Sequence, residues 1–191
     1  MDVKLAYGRT GLTVTLPDSI DIVAAASLPG VANPAIALLE AIRQPIGSPP
    51  LDDLVRPGDK VVIVHSDMTR PTPNDVIMPV LLAQLETAGV RREDITLLNG
   101  LGTHRAQTEA EMRVLLGDAV YDNYRCVQHD AFNDEVLVPL GTTSSGHPLR
   151  VNRLLVESDV RILTGFIEPH LFAGYSGGPK AVLPALCGQE S

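Results

Sequence analysis

The chain has no tryptophan, few aromatic residues and only two cysteines. Cys126 and Cys187 lie far apart and form no Cys-x-x-Cys pair, so the sequence indicates neither a disulfide framework nor a zinc site. We expect both thiols to be reduced and buried. With 45% hydrophobic residues among 191, the chain still has enough apolar side chains to fill the core of one ordinary domain.

Long hydrophobic runs and clusters of basic residues are also missing. The apolar stretch VVIVH (residues 61–65) is far shorter than the roughly 18 residues that a membrane-spanning helix needs. The first ten residues, MDVKLAYGRT, lack the apolar core of a signal peptide. A formal net charge of −8 disfavours nucleic acid, whose phosphates attract a clustered basic surface. We therefore predict a cytoplasmic protein that binds neither nucleic acid nor membranes.

The N-terminal part of the sequence predicts a β-rich segment followed by a helix. Three stretches alternate or cluster apolar residues as strands do: DVKLAYG, LTVTLP and DIVAAA (residues 2–8, 12–17 and 21–26). A helix is predicted over residues 33–43, because Asn33 is a candidate N-cap and Pro34 occupies the first helical position.

From residue 60 the pattern becomes strand, loop and helix, repeated. Three apolar runs have the length of buried parallel strands: KVVIVH, DITLLNG and VRILTG (residues 60–65, 94–100 and 160–165). Thr108 and Glu111 predict a capping box for the helix after the second run. Between the second and third runs, RCVQHD, EVLVPLG and PLRVNRLL predict an antiparallel β-hairpin insertion. The fold class predicted is α/β, with an open, mostly parallel, Rossmann-like sheet flanked by helices.

The loops after the three buried strands are rich in functional groups. They carry Asp67 and Arg70, then His104, then His170 and Lys180. In an open parallel sheet, ligands bind beyond the carboxyl ends of the strands, where such loops converge and helix N-termini point inward. We therefore expect these five side chains to face one cleft.

Each of these side chains has both a functional and a structural interpretation. Two histidines at one cleft provide a matched acid and base near neutral pH, whereas a lone loop histidine more often bonds local carbonyls. The guanidinium of Arg70 suits a carboxylate or phosphate, but it could instead pair with Asp67 three residues earlier. Arg105 is equally consistent with a second anion contact and with a solvated arginine at a helix start.

The stretch IEPHLFAGYSGGPKAVLP (residues 167–184) places a lysine directly after a glycine-rich loop. It is not a phosphate-binding P-loop, because Pro179 stands in place of the second glycine and Ala181 in place of the Ser or Thr hydroxyl. Lys180 would lie in a short helix that Pro179 starts. Its amine could then pair with a phosphate in the cleft or form a covalent bond to a cofactor.

Three ordered motifs, SDMTRPTP, GTHRAQT and EPHLFAGYSGGPKAVLP (residues 66–73, 102–108 and 168–184), resemble the signature segments of the nickel-pincer-dependent lactate racemase family, in its N-terminal domain. The resemblance extends from about residue 60 to residue 184, and the three motifs together are far more specific than any one of them. It implies an isomerase, a 2-hydroxy-acid racemase or epimerase that works by proton-coupled hydride transfer to a tethered cofactor.

The resemblance implies how the cofactor is held. Lys180 matches the lysine that carries a nickel-pincer nucleotide, a pyridinium-3-thioamide-5-thiocarboxylic acid mononucleotide that binds nickel. Gly177 and Gly178, which by themselves predict a close approach of the backbone to a flat ligand, would make room for this group.

The resemblance also implies roles around the substrate. His104 and His170 match the two acid–base histidines, one for each enantiomer of a small 2-hydroxy acid. Arg70 matches a residue that helps to hold the anionic substrate or the cofactor, and Asp67 matches a neighbour that positions it.

One departure from the family pattern bears on activity. Family members have a second domain, and the histidine that ligates nickel follows the tethering lysine, beyond Ser191. We therefore expect residues 1–191 to be the N-terminal domain, as a fragment or as a natural short form, with no metal ligand of its own and little activity without the second domain or a partner chain.

Two other functions compete with a racemase. A non-catalytic nucleotide- or cofactor-binding module, or a degenerate paralogue, would keep the cleft but has no need of two proton carriers. A dinucleotide-dependent dehydrogenase is disfavoured, because no Gly-x-Gly-x-x-Gly follows an early strand.

Overall fold

The computed structural model of the chain describes residues 1–23 and 28–191. The chain forms two compact units, Met1–Ala32 and Asn33–Ser191. Among the described residues, none of the helices combines the length and the hydrophobicity that crossing a bilayer requires.

The first unit contains a two-stranded antiparallel ribbon. Strand β1 (Asp2–Leu5) pairs with β2 (Leu12–Thr15), so the first two predicted strands are confirmed. The third predicted strand is wrong where it can be judged, because residues 21–23 form no strand. Its remaining residues, 24–26, lie outside the described residues.

The second unit alternates helices and strands around one parallel sheet. Its elements are α1 (Pro34–Arg43), α2 (Leu51–Leu54), β3 (Val61–Ser66), α3 (Asn74–Thr87), β4 (Ile95–Gly100), α4 (Glu109–Leu116), α5 (Asp118–Asn123), β5 (Arg125–Gln128), β6 (Leu137–Thr142), β7 (Pro148–Asn152), α6 (Arg153–Glu157), β8 (Val160–Leu163), β9 (Pro169–His170) and β10 (Gly174–Tyr175). Strands β5, β4, β3 and β8 lie side by side in that order, and all neighbours are parallel. The predicted α/β fold with an open parallel sheet is confirmed.

The two faces of the sheet bury different parts of the chain. On one face, Ile63 and Leu97 pack with helices α3 and α4, where Met78 and Leu85 are fully buried. On the other face, Val62, Val64 and Leu98 pack against β7, α6 and a C-terminal segment whose Leu186 is fully buried. Strands β3 and β4 therefore read as continuous apolar runs, because both of their faces are covered.

The helix caps that the sequence predicts are present. Asn33 accepts a hydrogen bond from the N–H of Ile36 at 3.1 Å and caps α1. Thr108 and Glu111 form the reciprocal capping box of α4. Each cap satisfies backbone donors that the first turn of a helix leaves without partners.

Two strand assignments need correction. The predicted hairpin consists of β6 and β7 alone, whereas RCVQHD supplies β5, a parallel strand at one edge of the main sheet. The run VRILTG supplies β8 at the opposite edge, where its residues alternate between half-buried and exposed. It was expected to be fully buried, but an edge strand has a neighbour on one side only.

The two cysteines are free thiols. Cys187 is buried, as expected, whereas Cys126 is only half-buried. Burial raises the pKa of each thiol to about 11, so both are protonated and poorly nucleophilic near neutral pH.

Candidate functional site

A cavity of about 710 Å³ lies at the carboxyl end of the parallel sheet. The loops that follow β3, β4 and β8 line it, together with the C-terminal segment. Six of the seven side chains or glycines predicted for the site are on its wall: Asp67, Arg70, His104, His170, Gly177 and Lys180. Gly178 is the exception, since it follows Gly177 in the chain but does not line the cavity. The structure thus brings together residues that lie more than a hundred positions apart.

Asp67 holds His104 on one wall of the cavity. The Nδ1–H of His104 donates to Asp67 Oδ2 at 2.5 Å, while the N–H and hydroxyl of Thr69 both donate to Oδ1, at 3.0 and 2.5 Å. Burial favours a raised pKa for Asp67, but the hydrogen bonds from Thr69 and His104 outweigh it and hold the pKa below its ordinary value. Asp67 is therefore an ionised carboxylate that fixes the orientation of His104.

Arg70 pairs with a carboxylate that was not assigned a role from the sequence. Its Nε lies 3.2 Å from Glu168 Oε1, and its Nη1 donates to the carbonyl oxygen of Thr69 at 3.1 Å. The alternative of an ion pair between Arg70 and Asp67 is wrong, because Asp67 is occupied by His104 and Thr69. Glu168 stands directly before Pro169-His170 in the third motif, and this position is the one sequence signal that could have identified it.

His170 is held by the backbone of its own loop. The N–H groups of Phe172 and Ala173 point at His170 Nδ1, at 3.3 and 3.2 Å. Since Nδ1 accepts these bonds, the neutral ring carries its proton on Nε2. Neutral His170 therefore has a hydrogen-bond donor at Nε2, whereas neutral His104, which donates from Nδ1, keeps a free lone pair on Nε2.

Lys180 lines the cavity and lies in a short 3₁₀ helix over Gly178–Ala181. Burial and, after it, the positive charge of Arg70 lower the pKa of Lys180, and the carboxylates of Asp67 and Glu168 offset only part of this effect. Across the described residues, no carboxylate forms an ion pair with the amine, because these two are engaged elsewhere. Its neutral form, the nucleophilic one, is thus more accessible than that of an exposed lysine.

Glycine is required in the loop that leads to Lys180. Gly177 has φ 75° and ψ −176°, a combination that is essentially restricted to glycine. A side chain on Gly165 would approach the Cα of Gly177 to 3.2 Å, so the two backbone segments pack directly on each other. Ser176 fastens the same loop by donating to the carbonyl oxygen of Phe166 at 2.5 Å and accepting from the N–H of Glu168 at 3.0 Å.

Arg105 lies beside His104 in sequence but does not line the cavity. Both of its terminal nitrogens donate to the carboxylate of Glu111, at 2.8 and 2.6 Å. This pair closes the start of α4, so the structure favours the helix-start interpretation of Arg105.

Within the described residues there is no group of three or more side chains suited to hold a metal ion.

Comparisons with known proteins identify the family of the chain. The chain matches the family described as "Lactate racemase N-terminal domain" over residues 7–191. It is 35% identical over 189 residues to a lactate racemase of Thermoanaerobacterium thermosaccharolyticum, covering 97% of this chain and 44% of the relative. A lactate racemase of Lactiplantibacillus plantarum is 36% identical over 152 residues, or 80% of this chain and 36% of the relative.

Solved structures show the same similarity in three dimensions. The lactate racemase apoprotein from Thermoanaerobacterium thermosaccharolyticum superposes with a TM-score of 0.83 at 34% identity, covering 99% of this chain and 44% of that one. A protein from Thermotoga maritima has a TM-score of 0.68 at 28% identity, covering 86% and 41%. The chain therefore spans less than half the length of the relatives it matches. Sequence and structure together place this chain in the lactate racemase N-terminal domain family.

Proposed function

We propose that this chain is the cofactor-tethering, proton-transferring part of a 2-hydroxy-acid racemase or epimerase. One observation carries the proposal: His104, His170, Arg70 and Lys180 all line the same cavity. This is the set of groups needed to bind a small hydroxy carboxylate, to exchange its hydroxyl proton and to anchor a reactive group beside it.

The two histidines have different tautomers when they are neutral. His104 can accept a proton at Nε2 because Asp67 holds the ring proton on Nδ1 and stabilises the imidazolium that forms. Neutral His170 instead carries its N–H at Nε2 because backbone N–H groups occupy its Nδ1, and this ring can return a proton only as an imidazolium, with a proton on both nitrogens. His104 would therefore remove the hydroxyl proton of one enantiomer and later release it to solvent, and His170, protonated from solvent, would return a proton when the opposite enantiomer forms.

Arg70 would bind the carboxylate of the substrate. Its guanidinium lies on the cavity wall and keeps part of its donor set free, since the contacts to Glu168 and Thr69 use Nε and Nη1 and none of the contacts among the described residues uses Nη2. We therefore expect a small 2-hydroxy acid such as lactate, whose carboxylate and hydroxyl would reach Arg70 and His104 together.

Lys180 would hold the nickel-pincer nucleotide through a thioamide bond. The residues fit this group: the amine has a lowered pKa, and both Lys180 and the backbone of Gly177 line the cavity. When bound, the cofactor would supply a reversible acceptor for the hydride on C2 of the substrate. Arg70 would in addition favour the neutral amine that attachment requires, through the repulsion between the two positive charges.

Intact mass spectrometry tests the proposed attachment. The chain is co-produced with proteins that synthesise the cofactor, and we expect a covalent adduct on the wild-type chain and none on Lys180→Ala. His104→Asn is the matched control, because it alters the cavity but keeps the amine and should carry the adduct in full. An adduct that persists in Lys180→Ala, or its absence from the wild type, would contradict the proposed tether.

A second measurement distinguishes a racemase from a non-catalytic binding module. The adduct-bearing chain, supplied with the second domain of its relatives, should interconvert the enantiomers of a 2-hydroxy acid. His104→Asn should abolish this interconversion without removing the adduct. Normal attachment with no racemisation of any 2-hydroxy acid would instead favour the binding module.

We propose that a second domain, in the same polypeptide or in a partner chain, covers the loop that carries His170. Four large apolar side chains in nine residues of this loop face outward: Ile167, Leu171, Phe172 and Tyr175 are 76, 91, 91 and 65% exposed. Such a patch beside a catalytic cavity is typical of an interaction surface. The relatives supply an occupant, since more than half of their length lies outside the matched part.

A single charge on this patch should weaken the association. Leu171→Asp buries a carboxylate in the interface, so we expect the dissociation constant for the second domain to rise at least about tenfold. Ile46→Asp is the control, because Ile46 is equally apolar and fully exposed on another loop. Isothermal titration calorimetry measures both; equal affinities for the two variants would rule out this surface.

A further inference from the structure

The C-terminal segment of residues 182–188, here called the strap, connects the two loops that carry Lys180 and His104. The N–H of Ala185 donates to the carbonyl oxygen of Lys180 at 3.3 Å, and the N–H of Gly102 donates to that of Ala185 at 2.8 Å. Leu186 anchors the strap in the core and is fully buried. A displacement of the strap would therefore move both loops of the cavity.

His129 holds the strap through a residue near its C-terminal end. Its Nε2 lies 3.0 Å from the carbonyl oxygen of Cys187, and its Nδ1 lies 3.0 Å from Asn152 Nδ2. The ring is only 2% exposed, and the N–H of His129 donates to the carbonyl oxygen of Asn99 at the end of β4. His129 therefore ties the strap to the end of the parallel sheet.

The neighbours of His129 determine its tautomer. Asn152 Oδ1 accepts from the N–H of Leu154 at 3.0 Å, so the amide nitrogen of Asn152 is the group that faces the ring. Nδ1 must then accept, and the ring proton must lie on Nε2, from which it donates to Cys187. Burial lowers the pKa of His129 despite the Cys187 carbonyl and the charge of Asp130, and this keeps the ring neutral.

We propose that His129 is a positioning residue for the site: its neutral imidazole, oriented by Asn152, fixes the strap and through it the Lys180 turn and the His104 loop. The sequence offered no chemistry near His129, and the cavity does not include it. The inference concerns the geometry of this chain alone, and it relies on the proposed function only for the importance of Lys180.

Competitive acylation of the apo chain with acetic anhydride measures this positioning. The pH midpoint of Lys180 labelling, read by mass spectrometry of peptides, reports burial of the amine and does not depend on how fast the reagent reaches it. We expect the wild-type midpoint to lie below that of exposed Lys4. In His129→Leu it should rise toward that of Lys4, with the neutral fraction near pH 8 falling at least about threefold, the factor given by half a pKa unit.

Three further variants separate positioning from a general loss of structure. His129→Gln keeps a donor for the Cys187 carbonyl and should restore most of the wild-type midpoint, while His147→Leu, at an exposed histidine of the β6–β7 hairpin, should leave it unchanged. Asn152→Ser retains a capping oxygen for α6 but removes the donor to the ring, and it should shift the midpoint in the same direction as His129→Leu.

Nuclear magnetic resonance of the labelled imidazoles gives an independent readout. The nitrogen shifts of His129 should show the proton on Nε2 in the wild type. A proton on Nδ1, or a folded His129→Leu chain with an unchanged Lys180 midpoint, would overturn the proposal. If His129→Leu fails to fold, the proposal is tested by the Lys180 labelling midpoint of Asn152→Ser and by the tautomer of His129 in the wild type. Failure of cofactor attachment to Lys180 would leave all of these results intact, so the two proposals fail separately.

Discussion

Asp67→Asn is expected to lower the turnover number of the assembled racemase about 10²–10⁴-fold, the range that general acid–base catalysis contributes, while cofactor attachment and folding are retained. The reason lies in the two hydrogen bonds from Thr69. Its N–H and hydroxyl both donate to Asp67 Oδ1, so an asparagine would keep its oxygen there and place its amide nitrogen where Oδ2 now faces His104. His104 Nδ1 would then have to accept, and the free lone pair on Nε2 would be lost.

The measurement is steady-state racemisation from each enantiomer, with the second domain and cofactor present. The turnover number should fall while KM changes little, because Arg70, which would bind the carboxylate, is engaged by Glu168 and not by Asp67. A turnover number within threefold of the wild type for Asp67→Asn would show that His104 is not the base.

The cavity could be predicted from the sequence because its placement depends on local patterns. Runs such as KVVIVH and DITLLNG mark strands covered on both faces, and the loops after parallel strands meet at one edge of a sheet. The side chains in those loops therefore had to converge, and Asp67, His104 and Lys180 do line one cavity.

The pairing of charges within the cavity could not be predicted in the same way. Arg70 had a carboxylate three residues away in Asp67, yet it pairs with Glu168, which is distant in sequence. The choice depends on how the loops after β3 and β8 meet, and on Thr69 and His104 saturating Asp67 first. Spacing along the chain carries no information on this competition.

The position of a strand within the sheet could not be predicted from the sequence either. RCVQHD and VRILTG have the composition of other strands, but β5 and β8 lie at the two edges, and this follows from the number of neighbours each finds. The strap is a further case, because its residues VLPALCG show no pattern that indicates contact with His129. Long-range packing decides all three.

Acidification from pH 7 to pH 4.5 is expected to cost the folded chain about 2–3 kcal/mol through His65 alone. His65 is fully buried, its Nδ1–H donates to the carbonyl oxygen of Ser66 at 3.1 Å, and its Nε2 has no partner in the described part of the chain. Burial lowers the pKa of His65 to about 4, against 6.5 for the unfolded chain. The unfolded state therefore takes up the proton first, and stability is lost as the pH falls below 6.5 toward 4.

Urea unfolding at intervals between pH 7 and pH 4.5 measures this loss, and the difference between the wild type and His65→Leu isolates it. Between pH 7 and pH 4.5, the variant should lose about 2–3 kcal/mol less of its free energy of unfolding than the wild type does. His147→Leu should lose as much as the wild type. An equal loss of unfolding free energy in the wild type and in His65→Leu would show that His65 does not cause the pH dependence.

The comparison of the two chains keeps the acidic residues out of this measurement. Carboxyl groups with a lowered pKa, such as Asp67 and Glu111, begin to lose their stabilising contribution as the pH falls toward their unfolded values, 3.8 for Asp and 4.5 for Glu, and they are common to both chains. His129, whose pKa is also lowered, acts in the same direction as His65 but is common to both chains compared. Because His65 precedes Asp67 by two residues, its protonation in the folded chain would disturb the loop that holds His104, and catalytic activity should decline through this effect only as the pH approaches about 4, the pKa of the buried ring.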